Sequence, residues 1–190
     1  KKIIPSDFEF TVYNEKTIMD ELGEDIKYNN HDMSTPTNFS DFIRYYLLYK
    51  YGGVWIDSTY FILDFDRAIL DKYRKYESDE FNAGYYEFGS RSIGTKINEK
   101  YYESWFMIAP PQDPYIKDVL NEFKKGSEIG FREYKKGLRN DNINLKGLID
   151  EEDNFYLMIY AMVRKVLTEK PEYKIVAFDI SNVLFNCIFL

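Results

Sequence analysis

The sequence predicts an α/β domain, and three observations carry that expectation. Short apolar or alternating runs of strand length recur along the chain. Longer segments with apolar residues at helical spacing stand between them, the alternation that builds a sheet flanked by helices. No internal repeat or low-complexity linker divides the 190 residues, so positions 1–190 make one domain able to bury a single core.

From the start of the chain, Phe8, Phe10 and Val12 alternate with Glu9, Thr11 and Tyr13, the period-2 pattern of a half-buried strand. Lys16 to Leu22 suits a short helix closed by Gly23. The polar stretch from Glu24 to Asn38 reads as a loop. Ser40 then reads as an N-cap, with Asp41 at the positive end of a helix running to Tyr51 and ended by Gly52-Gly53. Val54-Trp55-Ile56 is a short apolar strand delivering Asp57 at its tip. Tyr60 to Leu63 extends that region, and Asp64 or Asp66 opens a charged helix to about Tyr76.

Further strands are expected at Asn82 to Phe88 and Trp105 to Ala109, separated by a polar loop from Gly89 to Glu103. Asp113-Pro114 pairs a cap with a proline at the first helical position, and Gly126 closes that helix. Asn140 to Asn144 is a loop, Phe155 to Leu167 a helix apolar on nearly every face, and Lys174 to Asp179 a last strand. In such a domain ligands sit at the carboxyl ends of the strands.

Composition excludes some classes of function. A formal net charge of −7 argues against binding a nucleic-acid backbone, which needs a basic surface, although one nucleotide needs only local donors or a metal. The lone Cys187 excludes an internal disulfide and a cysteine-cluster metal site, which makes a reducing, cytoplasmic compartment natural. No apolar run approaches the roughly 20 residues of a membrane span, and peripheral membrane association stays open. The chain begins Lys1-Lys2 and ends in the apolar run Val183 to Leu190, so both ends read as trimmed. Aromatic residues make up 18 %, which serves either ligand stacking or core filling.

The chemistry concentrates between Ser40 and Thr59. Asp41 and Arg44 are three apart on a helix and share a face, so they present a carboxylate and a guanidinium together. Gly52-Gly53 lets the backbone turn sharply and approach a ligand closely. Asp57, at the end of a buried strand, is poised for a metal–diphosphate or a ribose hydroxyl. Taken singly, each has a plainer reading: a helix-start acid, its solvated partner, a loop glycine pair and a turn aspartate. Their order and spacing together are specific.

The ordered set Ser40, Asp41, Arg44, Leu48, Gly52, Gly53, Trp55, Asp57 and Thr59 resembles the Asp-X-Asp type of sugar transferase. Within that type it is similar to the capsular polysaccharide synthesis and glycosyltransferase family 32 branches. A looser likeness continues through Ser104-Trp105-Phe106-Met107-Ile108-Ala109. The resemblance implies a GT-A-like fold with a mostly parallel mixed sheet flanked by helices. It also implies a glycosyltransferase moving a hexose from a nucleotide-sugar, most often UDP-linked, to a glycan acceptor with retention. On the donor it places Asp41, Arg44, Gly53, Asp57, Thr59, Asn82 and Trp105, with Asp57 as catalytic residue and as ligand of a Mn²⁺ or Mg²⁺ ion. Thr59 stands where many relatives carry a second aspartate, which leaves the ion to Asp57 and the donor diphosphate. His31 reads as a loop residue and Asp64-Phe65-Asp66 as a helix cap. Asp153 either caps a helix or reaches the site from across the cleft. A non-catalytic nucleotide-sugar- or glycan-binding domain on the same fold, or a plain interaction domain, are the alternatives.

Overall fold

The computed structural model describes residues 8–23, 35–58, 84–87, 102–146, 148–149, 155–173 and 175–179. Helix α1 spans Glu15–Leu22 and is held at its start by a reciprocal box. The Asn14 side chain accepts from the Thr17 amide at 3.0 Å, and the Thr17 hydroxyl accepts from the Asn14 amide at 2.8 Å. Ahead of it, the expected strand from Phe8 to Val12 does not form. Phe10 and Val12 are 66 % and 73 % exposed, so the alternation has no sheet face to bury.

Helix α2 spans Pro36–Tyr51, starting before the expected Ser40. Thr35 is the cap, its hydroxyl accepting from the Asn38 amide at 3.3 Å, and Pro36 fills the first turn, where a missing N–H costs nothing. The threonine–proline pair outranks Ser40, which falls in the second turn. Asp41 is therefore not a helix-start acid and gains little from the dipole.

Four strands follow the helices into one sheet: β1 Gly53–Ile56, β2 Gly84–Glu87, β3 Tyr102–Ala109 and β4 Val176–Asp179, in the order β1-β3-β2-β4. β3 runs antiparallel to both β1 and β2, and β2 runs parallel to β4. The domain is thus mixed α/β; among the described strands β1, β2 and β4 run in one direction and β3 against them, so two of the three pairings are antiparallel and the expected mostly parallel pairing is not shown. Alternation of strands and helices does not by itself set direction, and β3 enters the sheet against both neighbours.

Helices α3 (Pro114–Ile129), α4 (Phe131–Asn140) and α5 (Met158–Glu169) complete the described elements. Asp113 caps α3 as expected, accepting from the Ile116 amide at 3.0 Å. Gly126 does not end that helix; it lies inside it, where a Cβ would meet Met162 Cε at 2.6 Å, so it lets α5 approach closely. α3 packs against α2, α4 and α5, and α2 also rests on β1 and β3. Phe123 ties these helices together, its ring 5.8 Å from Phe42 and 5.6 Å from Phe131. Among the described residues Phe42, Tyr45, Tyr115, Phe123, Phe131 and Tyr134 are buried in the core. No described helix is long and apolar enough to cross a membrane.

Candidate functional site

Helix α2 turns Asp41 and Arg44 inward, one turn apart. They are 4 % and 6 % exposed, so neither is a solvated surface charge, and Asp41 Oδ1 lies 3.4 Å from Arg44 Nη2. The guanidinium is held by its own helix and by the sheet. Nε donates to the Ser40 carbonyl at 3.3 Å, Nη2 to Ser40 Oγ at 3.1 Å and Nη1 to Ser104 Oγ at 2.5 Å. Its face lies over the Trp55 ring, 5.8 Å from the centroid.

Strand β1 brings the second carboxylate. The Asp57 amide donates to the Trp105 carbonyl at 2.9 Å, extending the β1–β3 ladder one residue past the Ile56–Phe106 pair. Trp55 and Asp57 are two apart on an extended chain and share a face. The indole accordingly donates to Asp57 Oδ1 at 2.7 Å, and the same oxygen lies 3.6 Å from Arg44 Nη2. One guanidinium therefore serves two carboxylates, a trio of net charge −1 when both are ionised. Asp57 alone faces outward, with 28 % of its side chain exposed.

Burial pushes the Asp41 carboxyl up to about 7; Arg44 opposes that rise and Asp57 adds to it. Desolvation wins because the one nearby cation is shared.

Of the glycine pair, Gly52 meets the chain itself, whereas a Cβ at Gly53 would meet nothing within 4 Å. Gly52 has φ +67°, and a Cβ there would meet the Pro111 backbone nitrogen at 2.4 Å. It lets the end of α2 pass against the Pro110–Pro111 turn, where the Gln112 amide donates to the Tyr49 carbonyl at 2.8 Å. The close approach is to the chain's own backbone. Gly53, paired with Ala109, sits at the far end of β1 from Asp57.

The structure thus gathers Asp41, Arg44 and Asp57, with the Trp105 backbone beside them, and leaves Gly53 apart. Thr59, Asn82, His31, Asp64, Asp66, Asp153 and Cys187 lie outside the described residues, as do the helix expected to about Tyr76 and the run Val183 to Leu190. Ser104, which opens the looser family likeness, and Tyr160, which nothing in the sequence points to, join the cluster. Ser104 is buried, and its hydroxyl and amide lie 3.2 Å and 3.4 Å from the Tyr160 hydroxyl. Tyr160 has no signature in sequence, because a tyrosine in an apolar helix reads as core.

A single exposed carboxylate fits a divalent cation shared with substrate phosphates, and not an all-protein cage. Among the described residues no group of three or more His, Cys, Asp or Glu converges.

A family model described as capsular polysaccharide synthesis protein matches residues 11–128, more than half of the 190-residue chain. No curated protein and no solved structure matches. The matched stretch contains Asp41, Arg44, Asp57 and Ser104. The chain belongs to the capsular polysaccharide synthesis protein family.

Proposed function

We propose that this protein is a glycosyltransferase of polysaccharide synthesis, on a GT-A-like fold, moving a sugar from a nucleotide-sugar donor to a glycan hydroxyl. The observation that carries the reading is the guanidinium shared between a buried carboxylate and an outward-facing one at the carboxyl end of β1, in a chain of this family. In α/β domains that edge is where ligands bind.

In this reading Asp57 is the contact with the donor. Trp55 and Arg44 hold its Oδ1, which fixes the carboxylate plane and leaves its other oxygen turned to the diphosphate or ribose. Among the described residues no hydrogen bond is made to that second oxygen, Oδ2. A Mn²⁺ or Mg²⁺ ion held between Asp57 and the diphosphate would offset charge developing on the leaving group. For Arg44 this reading adds an organising role to the donor contact that the family resemblance implies. Three of its five N–H donors are already bonded within the protein, so in this reading it organises the two carboxylates. Transfer with retention breaks the bond from the anomeric carbon to the diphosphate as the acceptor oxygen bonds on the same face. The acceptor proton passes to the departing diphosphate, so no further carboxylate is required.

A panel of nucleotide sugars in a thermal-shift experiment, with and without Mn²⁺, tests the reading. At least one UDP-sugar is expected to raise the melting temperature, and more so with the ion. No response to any nucleotide sugar would remove it. A non-catalytic binding domain would respond in the same panel yet release no UDP.

A further inference from the structure

We propose that Tyr160 and Ser104 form a positioning relay that sets the Arg44 guanidinium, and through it the Asp57 carboxylate, making helix α5 part of the site. The effect on sugar transfer rests on the function proposed above; the relay itself does not.

The relay begins with an irregularity in the sheet. Tyr85 pairs with Met107 and the next residue, Tyr86, pairs with Glu103, so neighbours on β2 meet residues four apart on β3. Positions 104–106 lie between the two paired stretches. Bulged strands re-aim side chains and interrupt the ladder locally, and they concentrate beside functional sites. Here the Ser104 amide lies 3.4 Å from the Tyr160 hydroxyl, as its donor, in place of a ladder bond to β2.

Tyr160 therefore meets Ser104 at two atoms, its amide at 3.4 Å and its hydroxyl at 3.2 Å. Ser104 Oγ then accepts the 2.5 Å bond from Arg44 Nη1. On the far side of the guanidinium, Nη2 faces Asp57 Oδ1 at 3.6 Å. Among the described residues, the other side-chain hydrogen bonds of Arg44 go to Ser40, on its own helix, so Ser104 ties the guanidinium to the sheet carrying Asp57. Tyr160 lies beyond residues 11–128, outside the stretch the family model matches.

The indole N–H of Trp55 supplies a readout that needs no substrate, because it donates to the same Asp57 oxygen. The chain has 2 Trp, so its two indole signals in a ¹H–¹⁵N spectrum are assigned by one Trp105→Phe spectrum. Spectra are recorded on the full chain as wild type, Tyr160→Phe, Ser104→Ala and the exposed control Tyr156→Phe. The expected result is a displacement of the Trp55 indole signal by several line widths in Tyr160→Phe and Ser104→Ala, with the control unchanged. Tyr160→Phe removes one oxygen and keeps the ring, so it decides the matter should Ser104→Ala fail to fold. With a UDP-sugar that the wild type hydrolyses, kcat is expected to fall about 10- to 100-fold in Tyr160→Phe, the effect of a small misplacement of a reacting group. A Trp55 signal left in place by Tyr160→Phe, in a folded protein, would overturn the relay. If the wild type turns over no nucleotide sugar, the transferase reading fails while the spectra still decide the relay.

Discussion

Replacing Asp41 with asparagine should abolish a specific part of the protein's pH dependence. Burial raises the Asp41 carboxyl to about 7 in the folded chain, against the ordinary aspartate value of 3.8. Between those two values the folded state holds a proton that the unfolded state has released. Stability contributed by that proton is complete below the unfolded value and is lost as pH rises through the folded one. Each pH unit inside the window changes stability by about 1.4 kcal/mol. From pH 5 to pH 8 only the part below about 7 counts, which makes the loss about 2–3 kcal/mol. Asparagine mimics the protonated form at every pH and should flatten this component. The assay is urea denaturation of wild type and Asp41→Asn at pH 5 and pH 8. Glu21, whose carboxyl is lowered by its hydrogen bonds to Lys50 and Tyr51, contributes stability that is lost on acidification, below this window. The wild type should lose more stability than the variant by about 2–3 kcal/mol, a drop in melting temperature of roughly 4–12 °C for a chain of this size. Equal losses in the two proteins would refute the assignment of a buried, proton-holding carboxyl to Asp41.

Arg44→Met should destabilise the fold by about 3–5 kcal/mol, because it strands a buried carboxylate. The loss should be larger at pH 8 than at pH 5, where Asp41 can take up a proton; denaturation at the two pH values checks this. Gly52→Ala should cost more than about 3 kcal/mol, combining a positive φ with a clash against the Pro111 backbone. Gly126→Ala should cost about 1 kcal/mol or less, since the nearest atom is the flexible tip of Met162 and alanine favours the helix. Thermal melts of both glycine variants give the order. Trp55→Phe removes the indole donor from Asp57 while keeping an aromatic ring near Arg44, so nucleotide-sugar turnover should fall with little change in melting temperature.

Much of the site was legible because its signals are local. Asp41 and Arg44 share a helix face at i,i+3, and Asp57 follows a short apolar run after a glycine pair; the structure bears out both placements. The start of α2 was misread although the needed rule lay at hand. Thr35-Pro36 is the same cap–proline pairing that located α3 at Asp113-Pro114, hidden inside a polar stretch. Helix α4 went unread between Gly126 and Asn140. Its apolar positions Phe131, Tyr134 and Leu138 recur at helical spacing among charged residues, and all three are buried. Strand direction was not legible, since β3 pairs with segments distant in sequence. Nor were Ser104 and Tyr160, 56 residues apart, whose contact exists only once α5 packs near the sheet. Gly52 was rightly singled out as a close-approach position, but what approaches it is Pro111, a partner 59 residues further on and invisible from the motif.

The most direct test of sugar transfer through Asp57 is UDP release from a panel of UDP-sugars in the presence of Mn²⁺, by wild type and by Asp57→Ala. Asp57 carries the outward carboxylate of the trio and has 28 % of its side chain exposed, so its removal should leave the core intact. The account predicts that the wild type hydrolyses at least one UDP-sugar. Asp57→Ala should lose about 100-fold or more of that rate, with a melting temperature close to wild type. A folded Asp57→Ala variant that releases UDP at the wild-type rate would contradict it.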